Sequence, residues 1–380
     1  STGIHLELTV LPSLRDVYEV IQSSGSGRYD LIRMDVAWMD ELAKKLFRPL
    51  HQIPFDWDGL LAQTLPEFGD SYTSVNGERI CVPYDPSTQL MFYRRDLFCD
   101  PTYKRMYFEA YRRELEVPKS FEDYNRIAGF FTRSLNPASP VQYGTTVAIG
   151  NVVVSPSEFL PRLFEQGGKL FNAKGQITVD TPEALAALKN YRETYACSDR
   201  TVHDIWKNVL EGFADGSAAM TVVFINYASH ILNSKMSSIA GKLGFAPVPG
   251  GRPLSGGGVV GITRSCAHPE TACAFLSWLY SNQTAPAFTL LGGLSPCRSA
   301  YSNRDIKERY PWLSAARRSF PSAQRRSGST YYSNFSELQM ENILAAYVQR
   351  AVLGVCTPEE ALAQAQAEMD AHFTANSEFL

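Results

Sequence analysis

The chain has 380 residues, 44% of them hydrophobic and 20% charged, which is the length and composition of a globular protein with room for two domains. Its 36 basic and 39 acidic residues give a net charge of −3, so the charge balance does not favour nucleic acid or an anionic membrane as a partner. No apolar run approaches the roughly 20 residues that span a bilayer. The seven cysteines are odd in number and include no Cys-x-x-Cys pair, so neither a disulfide framework nor a structural zinc site is predicted.

The N-terminal part alternates strand and helix patterns. Apolar residues at every second position predict a strand over 4–10. A helix is predicted over 14–23, a strand over 29–34, and a further helix towards Leu50. This order is typical of an α/β sheet.

Several later helices are marked by their first residues. Ser120 and Thr181 are predicted N-caps, and Thr357 with Glu360 forms a capping box. The longest amphipathic helix is predicted over 337–353, where Gly354 ends it. Two arginine pairs at 317–318 and 325–326 are interpreted as a solvated helix face and loop.

Glycine clusters at 250–251, 256–258 and 292–293 predict bends or crossings between domains. Residues 256–261 match Gly-x-Gly-x-x-Gly, but a strand-like segment follows them, whereas a dinucleotide site needs a helix there. The sequence contains no His-Glu-x-x-His, Gly-x-Ser-x-Gly or P-loop motif, and 56–59 is interpreted as a turn rather than a calcium loop. We therefore assign no catalytic residue, cofactor or metal. Paired carboxylates that assemble only in space stay open.

Five segments, in order along the chain, resemble the family 1 extracellular solute-binding proteins of sugar ABC transporters. The most telling is GERICVPYDPSTQLMFYRRDLF, and the other four occupy 29–50, 211–229, 242–301 and 352–370. The resemblance implies an α/β fold of the periplasmic-binding-protein (Venus flytrap) type, with two discontinuous lobes and a ligand cleft between them.

By this resemblance, lobe 1 comprises 1–86 plus 262–293, and lobe 2 comprises 87–261 plus 294–380. The chain is expected to cross between lobes near 85–89, 256–261 and 293–298. The family's first strand and helix have no counterpart before residue 4. We expect that they were cut away or that an upstream segment supplies them, since a sheet without its central strand exposes an unpaired edge.

The resemblance also implies a set of ligand-binding residues. Aromatic rings suit the C–H faces of a sugar, and Asp, Asn and Arg suit its hydroxyls. The predicted ligand-binding residues are Asp35, Trp38, Tyr84, Asp85, Trp206, Asn226, Tyr227 and Arg298. Phe224 and the stretch 256–261 stand where the family often has tryptophan.

The implied function is capture of a mono- or oligosaccharide for an ABC importer by hinge closure. A monomer is expected, with transporter permease subunits as partners and no nucleic acid bound through this module. The expected location is the outer face of the membrane, as a lipoprotein, or the periplasm. Two alternatives stay open: the ligand-sensing domain of a cytoplasmic transcription regulator, and a glycoside-acting enzyme. The upstream gene sequence separates the first two, by a lipobox cysteine or a helix-turn-helix.

Overall fold

The computed structural model describes residues 3–11, 14–24, 27, 29–150, 154–172, 176–202, 206–233, 235–326 and 336–375. The chain divides into two compact units. Unit 1 contains 1–87, 255–321 and 329–337, and unit 2 contains 88–254, 322–328 and 338–380. Each unit is thus assembled from separated segments, which confirms the predicted discontinuous α/β architecture.

The unit boundaries differ from the predicted ones in the C-terminal half. Residues 294–321 belong to unit 1, and the chain leaves that unit after 321 rather than near 293–298. The reason is local pairing, because Leu65 N donates to Pro296 O and Arg298 N donates to Gln63 O. The expectation that Gly292 and Gly293 mark a crossing was therefore wrong. Gly292 instead follows the helix Thr284–Leu290 inside unit 1, with a φ of 101°.

Eight strands form the sheets of the described chain. Two short strands pair with each other, and the other six form the main sheet order β1-β8-β4-β6-β5, with β7 beside β4. The strands are β1 Leu31–Asp35, β2 Ser74–Val75, β3 Glu78–Arg79, β4 Val82–Arg94, β5 Tyr143–Thr145, β6 Ala218–Phe224, β7 Leu243–Ala246 and β8 Ser255–Ile262.

In unit 1, β8 lies between β1 and the first half of β4. β1 and β8 are antiparallel, with Asp35 opposite Gly258. The segment 256–261, which matched a dinucleotide motif, is therefore strand, as interpreted from the sequence. The core beside these strands includes Trp57, Val260 and Leu276.

The helices of unit 1 are mostly short. They comprise Leu14–Ser24, Val36–Trp38, Met39–Ala43, Lys44–Leu46, Leu50–Gln52, Trp57–Leu61, Pro66–Phe68, Asp70–Thr73, Pro269–Tyr280, Thr284–Leu290, Arg298–Ser302, Arg304–Arg309, Trp312–Ser319 and, at the boundary, Phe320–Ser322. Asp56 caps the helix at 57–61 by accepting from Gly59 N, so the predicted turn at 56–59 is the start of a helix.

In unit 2, the second half of β4 pairs antiparallel with β6 and β7, and β5 adds in parallel to β6. The core includes Met91, Phe121, Phe131 and Met220. The helices are Arg95–Cys99, Pro101–Tyr111, Phe121–Phe130, Val154–Glu165, Pro182–Ala196, Trp206–Ala214, Ile225–Tyr227, Ala228–Leu232, Ala240–Lys242, Pro249–Gly251, Glu337–Val352 and Pro358–Ala375.

The predicted helix starts are confirmed by their hydrogen bonds. Ser120 Oγ accepts from Asp123 N, and Thr181 Oγ1 accepts from Ala184 N. Thr357 and Glu360 exchange reciprocal bonds of 2.8 and 3.1 Å, which satisfy backbone donors that the first helical turn leaves unpaired. None of the described helices combines the length and apolar character needed to cross a membrane.

The predicted strand at 4–10 was wrong. Residues 3–11 have no regular secondary structure, and Leu6, Leu8 and Val10 are 53%, 76% and 77% exposed. The alternating pattern is real, but alternation yields a strand only where a neighbouring strand supplies the hydrogen bonds. Among the described residues, no strand pairs with this segment.

The second arginine pair is not solvated, contrary to the sequence interpretation. Arg325 and Arg326 are 7% and 5% exposed. Arg326 forms an ion pair with the fully buried Glu341, and its guanidinium lies 5.8 Å from the centre of the Phe224 ring. The pair fixes the segment before residue 327 against the helix Glu337–Val352 within unit 2.

A second buried ion pair lies inside unit 2, on the helix Val154–Glu165. Arg162 Nη1 donates to Glu158 Oε2 at 2.7 Å, and both side chains are almost fully buried. Thr194 and Asn190 accept further bonds from the same guanidinium, which also lies 4.1 Å from the centre of the Phe121 ring.

We expect Arg162→Met to lower the free energy of unfolding by about 3–5 kcal/mol, because removing one partner leaves a buried, uncompensated carboxylate. Urea unfolding followed by circular dichroism measures the change. Arg105→Met is the matched control, since the Arg105–Glu109 pair has the same helical spacing in the same unit but is exposed. Equal effects of the two substitutions would contradict the assigned role of Arg162.

All seven cysteines are free, and five of them are buried. Burial raises the pKa of Cys273 and of Cys297 to about 11, so their thiols stay protonated at neutral pH. Cys99 is exposed and Cys356 is half-buried.

We expect a thiol reagent such as DTNB to modify Cys99 and Cys356 quickly in the native protein, and the buried five only after denaturant is added. Absorbance at the thionitrobenzoate band counts the reacted thiols. A Cys99→Ser, Cys356→Ser double variant should show almost no rapid phase. A rapid phase of similar size in that variant would mean that the buried thiols are open to solvent.

Candidate functional site

A polar patch occupies one face of the unit 1 sheet. Along β1, Ile32 and Met34 are 8% and 0% exposed, whereas Arg33 and Asp35 point to the opposite face and are partly exposed. The first half of β4 is buried except at Tyr84 and Asp85. The strands therefore bring Asp35, Tyr84 and Asp85, three of the predicted residues, to the same sheet.

The centre of this patch is an ion pair between neighbouring side chains of β1 and β4. Arg33 Nε donates to Asp85 Oδ1 at 3.0 Å, and Arg33 Nη2 donates to Asp85 Oδ2 at 2.8 Å. The two side chains are 29% and 25% exposed. Parallel hydrogen bonds of this kind fix the planes of both groups as well as their distance.

The pair spans β8, which lies between β1 and β4, and glycine makes this possible. A Cβ at Gly258 would overlap both Arg33 Nε and Asp85 Oδ1. A Cβ at Gly257, where φ is +85°, would overlap the backbone of Asp85 and Ser87. The two glycines thus open the sheet face across which Arg33 reaches Asp85.

Burial decides the protonation chemistry of the patch. It raises the pKa of the Asp85 carboxyl, and the charge and hydrogen bonds of Arg33 oppose that rise. Burial also raises the pKa of Tyr84, so its phenol keeps its proton at neutral pH and can donate a hydrogen bond. Asp35 is occupied on one side, because its Oδ1 accepts from Ala37 N at 3.0 Å and caps the turn Val36–Trp38.

Two other predicted residues of unit 1 lie in different surroundings. Trp38 is only 5% exposed and packs edge-on against Tyr18, with ring centroids 5.3 Å apart. Arg298 is exposed, and its Nε donates to Thr64 O at 2.8 Å. Arg298 also lines a cavity of about 130 Å³ together with Asp70 and Arg79. Trp38 thus packs within unit 1, and Arg298 lines a pocket whose lining includes none of Asp35, Tyr84 and Asp85.

In unit 2, Asn226 and Tyr227 lie in the turn Ile225–Tyr227 that follows β6. Asn226 is exposed and Tyr227 is half-buried. Phe224, where the resembling family often has a stacking tryptophan, is only 5% exposed and has the Arg326 guanidinium near its ring. It offers no open aromatic face. Trp206 begins the helix Trp206–Ala214, but its side chain lies outside the described residues.

Sequence reasoning missed Arg33. A signal was present, because Arg33 precedes Asp35 by two positions and the side chains of a strand alternate in direction, so both must lie on one face. Within the described ranges, no group of three His, Cys, Asp or Glu side chains could hold a metal ion.

A family model described as the bacterial extracellular solute-binding protein family matches residues 1–286. Among curated proteins, the chain is similar to YcjN of Escherichia coli (strain K12), which is named as an ABC transporter periplasmic-binding protein. The two are 27% identical over 176 residues, which is 46% of this chain. The match spans 34% of that relative, so it covers about a third of its length.

Solved structures of similar fold cover nearly the whole chain. A solute-binding protein from Agrobacterium radiobacter K84, in complex with ribitol, superposes with a TM-score of 0.78 at 20% identity, covering 94% of this chain and 88% of that one. Maltose-bound MalE3 of T. maritima superposes with a TM-score of 0.76 at 24% identity and the same coverage. These likenesses confirm the predicted periplasmic-binding-protein fold.

We expect Gly258→Ala to displace Arg33 from Asp85, because the added methyl group would occupy the space that both side chains cross. The variant should lower the melting temperature by several degrees, whereas Gly241→Ala should change it little, since nothing lies within 4 Å of a Cβ at Gly241. Differential scanning calorimetry measures both. Equal melting temperatures for Gly258→Ala and the unmodified chain would show that the pair does not need the glycine.

Proposed function

Since the chain belongs to the bacterial extracellular solute-binding protein family, we propose that it captures a sugar or polyol and delivers it to an ABC importer. The observation that carries this proposal is the family match over 1–286. Proteins of this family bind solutes and do not catalyse reactions, which confirms the prediction that the chain is not an enzyme.

Two observations support the ligand class. Structures that share the fold hold ribitol and maltose, which present hydroxyl groups and no charge. The unit 1 patch offers groups that bind hydroxyls: the Asp85 carboxylate accepts, and the Tyr84 phenol and Arg33 guanidinium donate.

We place the ligand contacts of unit 1 at Asp35, Tyr84 and Asp85, and those of unit 2 at Asn226 and Tyr227. All five are at least partly exposed. Asp35, Asn226 and Tyr227 lie at or just beyond the ends of strands, and Tyr84 and Asp85 lie in the first half of β4. We leave two predicted contacts out of this set. Trp38 is buried, and Arg298 lines a separate cavity.

The name of the curated relative supports a transporter partner, so permease subunits are the proposed protein partners. The family description supports an extracellular or periplasmic location. A lipid anchor, a monomeric state and closure about a hinge remain part of the proposal. Small-angle scattering with saturating ligand tests the last of these, since closure reduces the radius of gyration.

The first test is a thermal-shift screen against ribitol, D-mannitol, D-tagatose, maltose and longer maltooligosaccharides. A ligand that binds only the folded chain must raise the melting temperature as its concentration rises above the dissociation constant. Shifts with one or more of these compounds, confirmed by calorimetric titration, are expected. A folded chain whose melting temperature none of these compounds raises, at concentrations up to about 10 mM, would contradict the proposed ligand class.

The second test asks whether the named residues bind. Asn226→Ala and Tyr84→Phe should each weaken binding of the identified ligand about 5- to 100-fold, because a hydrogen bond to a ligand hydroxyl is lost. Asn303→Ala is a control, since Asn303 is a helix cap outside the proposed contacts. Unchanged affinity in both site variants, with native melting temperatures, would place the ligand elsewhere.

A further inference from the structure

We propose that the Arg33–Asp85 pair sets the charge selectivity of the ligand site, admitting uncharged polyhydroxy ligands and rejecting anionic ones. This inference rests on the proposed function and deepens it. A partly exposed arginine in a binding site is ordinarily a receptor for carboxylate or phosphate, because its planar fork matches their oxygens. In this chain the Asp85 carboxylate already occupies that side of the Arg33 guanidinium.

One edge of the Arg33 guanidinium is already occupied by Asp85. Arg33 uses Nε and Nη2 for the two Asp85 oxygens, which is the bidentate arrangement that an anionic ligand would otherwise take. The two side chains are held opposite each other because their strands, β1 and β4, lie on either side of β8. Gly258 of β8 places no side chain between Arg33 and Asp85. An anion would have to displace Asp85 before it could bind in the same way.

The charges around Arg33 also disfavour an anionic ligand. Arg33 interacts electrostatically with Asp85 and also with Asp35, so these three groups carry one positive and two negative charges. A carboxylate or phosphate brought to this patch meets two carboxylates and one cation that is already neutralised. Placing like charges together in this way is a common means of rejecting the wrong ligand.

The Arg33–Asp85 pair still has hydrogen-bond donors and acceptors that a neutral diol can use. A hydroxyl group both donates and accepts, so one hydroxyl of a diol can donate to Asp85 while its neighbour accepts from the remaining guanidinium N–H groups. An anionic oxygen only accepts, and it gains nothing from Asp85. The same pair therefore binds a neutral diol and repels its oxidised or phosphorylated counterpart.

The test compares neutral and anionic partners of the same carbon skeleton by calorimetric titration at low ionic strength: ribitol with D-ribonate, D-mannitol with D-mannonate, and maltose with maltobionate. The unmodified chain should bind the neutral member of at least one pair at least 50-fold more tightly than its anion.

Asp85→Asn should reverse this preference. It keeps the shape of the side chain but leaves the Arg33 charge unneutralised, so affinity for the anion should rise about 10-fold while affinity for the neutral ligand falls about 10-fold. Arg33→Gln should also lower the affinity for the neutral ligand, but it should not raise the affinity for the anion. Asp58→Asn removes one negative charge from the exposed Arg79–Asp58 pair of the same unit, and should leave the ratio unchanged.

The outcomes separate this inference from the proposed function. If a neutral member binds the unmodified chain but Asp85→Asn leaves the ratio unchanged within twofold, the inference is wrong and the proposed function stands. The same holds if Asp58→Asn shifts the ratio as much as Asp85→Asn, because net charge alone would then explain the effect. If the folded chain binds neither these three neutral compounds nor any other neutral compound of the thermal-shift screen, the proposed ligand class and this inference both fail.

Discussion

The arrangement of the polar patch in unit 1 depends on one constraint, namely that the middle strand carries no side chain where side chains of its two neighbours must meet. Because β8 has glycine at 257 and 258, the backbone of β4 can approach closely and Arg33 can cross to Asp85. The pair then fixes the two outer strands relative to each other through their side chains, in addition to their hydrogen bonds through β8. The glycine run is thus required both by the packing of β4 and by the Arg33–Asp85 pair.

Unit 2 differs from unit 1 in that it buries two ion pairs almost completely inside its own core. Arg162 is neutralised by Glu158, and Arg326 by Glu341, with aromatic rings close to both guanidinium groups. Arginine tolerates this better than lysine because its charge is delocalised and weakly hydrated. The pair between Arg326 and Glu341 joins the segment before residue 327 to the helix Glu337–Val352, so it fixes that segment against the helix.

The sequence predicted the fold well wherever the signal was local or carried by resemblance. Helix starts at Ser120, Thr181 and Thr357 followed from caps, since those bonds form within one turn. It failed where the outcome depended on distant partners: the alternating segment at 4–10 needs a neighbouring strand, and the ion pair that buries Arg326 depends on a helix that comes later. The same reason limits how much of the candidate site could be predicted. Asp85 could be named from its motif, but its engagement by Arg33 needs the strand order.

The absence of disulfides from the seven cysteines has a consequence for the lifetime of the protein. Five thiols are shielded only as long as the fold stays closed around them. In an oxidising medium, each transient opening exposes groups that can be trapped in wrong disulfides or higher oxidation states. In such a medium the survival of the chain is governed by how rarely it opens, so its durability is a matter of unfolding rate rather than of equilibrium stability.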